Sequence, residues 1–182
     1  MKIQHNLAVA IANLLKQEDD SKEDKLLLVY GIEVFLNEFL KLVCAWFLAL
    51  FLGILPEVMF ATVEFLLLRH YAGGKHFESN AVCFIVSVLS MILPAIIGKC
   101  IDFEIEILVV LNILICLFLI IYAPLNEKKL LSRHEKFARK ISSIVIYGIA
   151  VIVAELLGGA QYFIIVWLIG VIEVISILQK RT

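Results

Sequence analysis

The chain has 182 residues, of which 62% are hydrophobic and only 18% charged, and its mean hydropathy is +0.99. That lies far outside the soluble globular range, and the apolar residues come in blocks of membrane length. The chain therefore reads as an integral membrane protein with no room for a separate soluble domain of ordinary size. A formal net charge of −1 gives no sign of a nucleic-acid partner. Cysteines at 44, 83, 100 and 116 lack the spacing of a zinc site or a disulfide framework, and no metal or other cofactor is expected.

Residues 2–16 carry Ile3, Leu7, Ile11, Leu14 and Leu15 at helical spacing, which predicts a short amphipathic helix at the membrane surface. This stretch lacks the unbroken apolar core and cleavage site of a secretory signal and is expected to stay on the chain. In the acidic stretch EDDSKEDK (18–25), Ser21 stands three residues ahead of Asp24 and can cap a second helix. That helix leads into a first apolar span at about 28–52, followed by runs at 54–68, 81–98, 104–123, 141–158 and 160–178. Each run is near the ~20 residues that cross a bilayer, with the second on the short side. No alternating barrel pattern is present, and lipid demands that backbone groups bond internally, so the spans are expected to be helices. The fold class is all-α: one polytopic membrane domain over 1–182, with about six transmembrane helices behind a cytoplasmic amphipathic segment and turn at 1–27. No internal repeat suggests a two-halves transporter.

Basic residues orient these spans. With the N-terminus inside, the inner regions hold fourteen of the sixteen lysines and arginines, the outer loops hold Lys99 alone, and Lys41 lies within the first span. Both termini and residues 69–80 are thus expected on the cytoplasmic side of the bacterial cell membrane. The basic run SRHEKFARK (132–140) reads as a solvated inner loop attracted to anionic lipid.

The stretch RHYAGGKHFESNAVC (69–83) interrupts this apolar chain with chemistry. His76 and Cys83 form the minimum apparatus for covalent acyl transfer: the imidazole takes the thiol proton, and the thiolate attacks a carbonyl. One unbroken helix would hold the pair about 10 Å apart along its axis, so a helix cannot run through both. Gly73 and Gly74 tolerate the backbone angles needed to turn the chain back over the start of the next span. If the next span starts at Ser79 or Asn80, Cys83 lies about one turn inside it, where the positive helix end favours a thiolate. Arg69 can add positive potential or hold a substrate carboxylate. His70 and His134 read as ordinary interfacial residues.

The stretch Arg69-His70-Tyr71-Ala72-Gly73-Gly74-Lys75-His76, followed by Cys83, resembles the signature of the accessory gene regulator B (AgrB) family, membrane peptidases of Gram-positive peptide quorum sensing. Tyr30-Gly31-Ile32-Glu33 and Tyr122-Ala123-Pro124 fit the same pattern, whereas Leu125–Leu130 lacks the proline that commonly ends the following turn. The resemblance implies a cysteine endopeptidase that cuts the C-terminal tail from a short propeptide with an amphipathic N-terminal helix. The acyl-enzyme is then captured within the peptide to give a cyclic thiolactone or lactone. By the same resemblance Cys83 is the nucleophile and His76 its base, with Arg69, Gly73 and Gly74 supporting the site.

Polar residues inside the spans complete the picture. Glu33, Asn37 and Lys41 share one face of the first span, and Glu57 and Glu64 share a face of the second. Glu33, within the family-like Tyr-Gly-Ile-Glu, is expected near the site, and Glu64 is a third group that could orient His76. Glu155 and Glu173 are assigned to helix packing or to a subunit contact, as in a homodimer. Two readings of other classes are a non-catalytic carrier using the intramembrane acids, and a scaffold for an amphipathic partner in which Cys83 only packs. The topology is directly testable: in a chain stripped of its native cysteines, Lys75→Cys should react with a membrane-impermeant maleimide only from the cytoplasmic side, and labelling of intact cells would refute the orientation.

Overall fold

The computed structural model describes residues 2–15, 22–74, 79–101, 103–124 and 132–181. Among them run seven helices: α1 (Lys2–Leu15), α2 (Lys22–Leu52), α3 (Leu55–Ala72), α4 (Asn80–Cys100), α5 (Ile105–Tyr122), α6 (Arg133–Leu157) and α7 (Ala160–Arg181). Two compact units divide the chain, Met1–Cys44 and Ala45–Thr182.

In the first unit, Ala8 and Ala12 of α1 pack against Val29 of α2, with Val9, Leu28, Ile32 and Leu36 around them. Two alanines four residues apart present a flat face that lets the helices approach closely. Leu7, Leu14 and Leu15 remain exposed on α1, as suits an apolar stripe meant for lipid. Ser21, the expected cap of α2, lies outside the described residues.

The second unit is built around α7, which packs against α3, α4, α5 and α6. Its surface and interior invert the soluble pattern. Large apolar side chains such as Phe51, Leu67, Ile113, Leu114 and Ile152 are exposed, while Glu57, Thr62, Glu64, Ser90, Asn112, Ser143 and Glu173 are buried. That arrangement suits a bundle bathed in hydrocarbon. The chain is a polytopic all-helical membrane protein. Five helices among the described residues are long and apolar enough to cross a membrane: α2, α4, α5, α6 and α7. The sixth predicted segment corresponds to α3, which has 18 residues but carries Glu57, Glu64 and Arg69.

One boundary agrees with expectation and one differs. Helix α2 starts at Lys22, directly after Ser21 and ahead of the apolar run at 28, because the intervening polar residues are good helix formers. Helix α6 starts at Arg133, so the basic run read as a loop is its first two turns. Ser132 accepts from the Glu135 N–H and Glu135 accepts from the Ser132 N–H, a reciprocal cap that the apolar pattern does not reveal.

Close approach within the bundle rests on glycine and on one polar network. A Cβ on Gly98 of α4 would fall 2.7 Å from the Gln161 carbonyl oxygen of α7, and one on Gly170 of α7 would fall 2.5 Å from Ile115 Cγ2 of α5. Small residues bring membrane helices together because apolar burial gives no preference between protein and lipid tails. The buried Tyr147 hydroxyl donates to Asn112 Oδ1 (2.7 Å), while the Asn112 amide donates to the carbonyls of Leu108 (2.8 Å) and Phe163 (3.4 Å), tying α6, α5 and α7. Because the atom facing Gly98 is backbone, Gly98→Ala should destabilise the protein by about 1–3 kcal/mol. A lowered melting temperature in detergent checks this; an unchanged one would show that α7 can yield.

Candidate active site

Helices α3 and α4 pack together, and their ends at one edge of the bundle are joined by residues 73–79. Helix α3 stops because Gly73 (φ +81°) and Gly74 (φ +143°) both adopt backbone angles that favour glycine, while the Gly73 N–H still donates to the Arg69 carbonyl (3.2 Å). The two glycines thus have the turning conformations expected of them. His76, with Lys75, lies outside the described residues.

Helix α4 starts on Ser79, whose hydroxyl accepts from the Val82 N–H (3.5 Å), so the cap is Ser79 rather than Asn80. The Cys83 N–H makes a first-turn helical bond to the Ser79 carbonyl (2.9 Å). Cys83 is therefore the fourth residue of α4, as expected from a start near Ser79. It is half-buried and not in a disulfide.

Arg69 sits one turn before the end of α3, and its guanidinium turns towards α7. Nη1 donates to Glu173 Oε2 (3.4 Å) and to the Ser176 hydroxyl. Its side chain is 22% exposed and that of Glu173 only 1%. Gly74 is buried over this group: a Cβ there would run into Arg69 Nη1 and lie 2.6 Å from Ser176 Oγ. The expected positive charge is thus present at this edge, held by a carboxylate of the protein itself. Glu173, assigned from sequence to helix packing or a subunit contact, packs inside the bundle.

The other acids singled out from the sequence have these surroundings. Glu64 is buried, and neither of its carboxylate oxygens has a hydrogen-bond partner among the described residues. Glu33 belongs to the first unit, where it accepts from His5 Nδ1 (2.5 Å), a partner that sequence reading missed. Lys41 donates to Glu38 (2.6 Å). At the opposite edge of the bundle, Lys99 reaches the Gly53 carbonyl (3.0 Å) and Glu57 (3.3 Å). Sequence spacing carried no signal for the Arg69–Glu173 pair, which joins residues 104 apart.

Comparison with known proteins agrees with the motif. The family model of accessory gene regulator B matches residues 8–179. The chain belongs to the AgrB family. It is 30% identical over 126 residues to the accessory gene regulator protein B of Staphylococcus carnosus (strain TM300), a match covering 68% of this chain and 65% of that protein. Over 99 residues it is 27% identical to the protein of that name from Staphylococcus aureus (strain bovine RF122 / ET3-1), covering 54% of this chain and 53% of that one. A third AgrB protein, from Staphylococcus intermedius, is 29% identical over 126 residues, covering 68% of this chain and 66% of that one. The chain thus spans about half to two thirds of the length of these curated relatives. No solved structure matches it.

The cap under Cys83 is open to test. Replacing Ser79 by Ala should cost about 1 kcal/mol at the first turn of α4. Amide exchange at Cys83 should accelerate roughly fivefold while the middle of α4 is unchanged; no local acceleration would show that the hydroxyl does not hold this turn.

Proposed function

We propose that this AgrB protein is a membrane cysteine endopeptidase of peptide quorum sensing. It cuts the C-terminal tail from a short propeptide at the cytoplasmic face of the bacterial cell membrane and closes the remainder into a thiolactone or lactone. The observation that supports this reading best is the position of Cys83. Its thiol stands in the first turn of a membrane helix, seven residues after His76 in sequence, and a Gly-Gly turn ends α3 just ahead of His76. The printed name of the relatives, accessory gene regulator protein B, adds the regulatory context.

The chemistry balances without a cofactor. His76 takes the proton from Cys83 Sγ, and the thiolate attacks the scissile carbonyl carbon. As the C–N bond breaks, the imidazolium returns its proton to the departing amine of the tail, leaving a thioester on Cys83. A thiol or hydroxyl of the same bound peptide then attacks that thioester and transfers its proton through His76 to Cys83, freeing the ring. Attack from within the bound peptide gains from proximity, whereas bulk water has no such help. A thiol one turn inside a membrane edge is also shielded from water that would hydrolyse the thioester. The propeptide's amphipathic N-terminal helix would lie along the bilayer and bring the scissile bond to this depth.

The intermediate provides the test. A propeptide whose ring-forming residue is changed to Ala should still lose its tail and then persist on Cys83. Intact mass measurement should detect this adduct, and hydroxylamine should release it. The Cys83→Ala enzyme should form no adduct and release no tail. Normal tail release by Cys83→Ala would refute nucleophilic catalysis by this residue.

A further inference from the structure

The Arg69 guanidinium is a cation at this edge whose partners lie deep in the bundle. It leaves α3, passes beneath Gly74 and reaches Glu173 and Ser176, both on α7. Gly74 is buried against that guanidinium so closely that no side chain fits between them. Glu173 is 1% exposed, and its second oxygen, Oε1, has no hydrogen-bond partner among the described residues. A carboxylate so placed has no access to solvent and depends on the arginine for its charge partner. The backbone at Gly74, where the chain leaves α3, is thus seated on an ion pair that joins α3 to α7.

From this geometry we infer that Glu173, with Ser176, is a positioning residue for Cys83 chemistry. The pair holds Arg69 as the floor on which Gly74 rests, and so fixes the direction in which the chain leaves α3 two residues before His76. Arg69 is then a structural strut and not a receptor for a substrate carboxylate, because its Nη1 is already committed to α7. The inference rests on the reading of Cys83 as nucleophile and His76 as its base, and it adds α7 to the site. Helix α7 lies about ninety residues along the chain from Cys83 and supplies no reacting group. A positioning error of about 1 Å at a reacting pair can cost on the order of a hundredfold in rate, so a distant buried carboxylate can matter to the chemistry.

The experiment uses the full chain in lipid nanodiscs with all four cysteines retained and iodoacetamide as the probe, each cysteine being followed separately by mass spectrometry. Amide exchange at the end of α3 through Gly74 is measured in parallel. In the wild-type protein Cys83 should alkylate fastest near neutral pH, and His76→Ala should remove that preference. Glu173→Gln should slow Cys83 alkylation roughly tenfold, towards the His76→Ala rate, while Cys44, Cys100 and Cys116 keep their rates and exchange at Gly74 accelerates. Glu173→Asp, which keeps the charge, should restore most of the Cys83 rate.

The sign of the effect separates positioning from mere packing. Loosened packing would expose Cys83 and speed its alkylation, whereas loss of its base slows it. If Glu173→Gln leaves an uncompensated buried arginine and the protein fails to insert, the double variant Arg69→Gln with Glu173→Gln removes both charges and serves in its place. An unchanged or faster Cys83 reaction in either variant overturns the inference, and so does unchanged exchange at Gly74. A His76→Ala protein that alkylates like wild type would instead refute the proposed function, and exchange at Gly74 would still decide whether α7 holds the turn.

Discussion

The hydrocarbon interior of a bilayer offers no water to a buried charge or an unpaired backbone group, and the rest of this structure follows from that constraint. Every polar residue kept inside the bundle has to be justified by a partner or a function. Asn112 and Tyr147 satisfy each other and two backbone carbonyls. Glu57 meets Lys99, and Glu173 meets Arg69. Breaking such a buried pair by removing one member is costly, because the remaining charge is left without compensation.

These pairs explain how α3, with Glu57, Glu64 and Arg69 along its 18 residues, can lie within the bundle. It is pinned at both ends: Glu57 and Lys99 clip its start to the end of α4, and Arg69 and Glu173 clip its last turn to α7. Between the clips its buried face carries Val58, Ala61, Phe65 and Leu68 together with the polar Thr62 and Glu64. The two clips differ in what they secure. The first bridges a loop through the Gly53 carbonyl. The second underlies Gly74, where the chain leaves the helix on its way to the thiol-bearing turn of α4.

Membership of the AgrB family gives this edge of the bundle its meaning, and the local geometry gives it a physical basis. A cysteine four residues into a capped helix has its backbone fixed by the Ser79 carbonyl. The glycine angles at 73 and 74 redirect the chain at the membrane surface. Helix α6 brings its exposed basic first two turns to the same edge, because α5 and α6, like α3 and α4, are joined there. The proposed chemistry thus draws on helix ends, where lipid ends and water begins, while the helix middles serve packing.

The amino-acid sequence by itself determined the helical membrane character, because hydropathy over blocks of about 20 residues and the rule of internal hydrogen bonding leave no other fold. It also determined the turn at Gly73–Gly74 and the place of Cys83 near a helix start, since glycine conformations and serine caps are local properties. It placed the start of α2 after Ser21 but misjudged that of α6, because apolar periodicity marks where lipid begins and a reciprocal cap such as Ser132–Glu135 marks where helix begins. Only the tertiary structure decided which acid serves which base. Glu173 looked like a packing residue and Arg69 like a substrate receptor until α7 was found against α3, with Glu173 and Ser176 beneath Gly74. Pairing across 104 residues depends on how helices pack, and that is set by where small residues such as Gly98 and Gly170 let backbones meet.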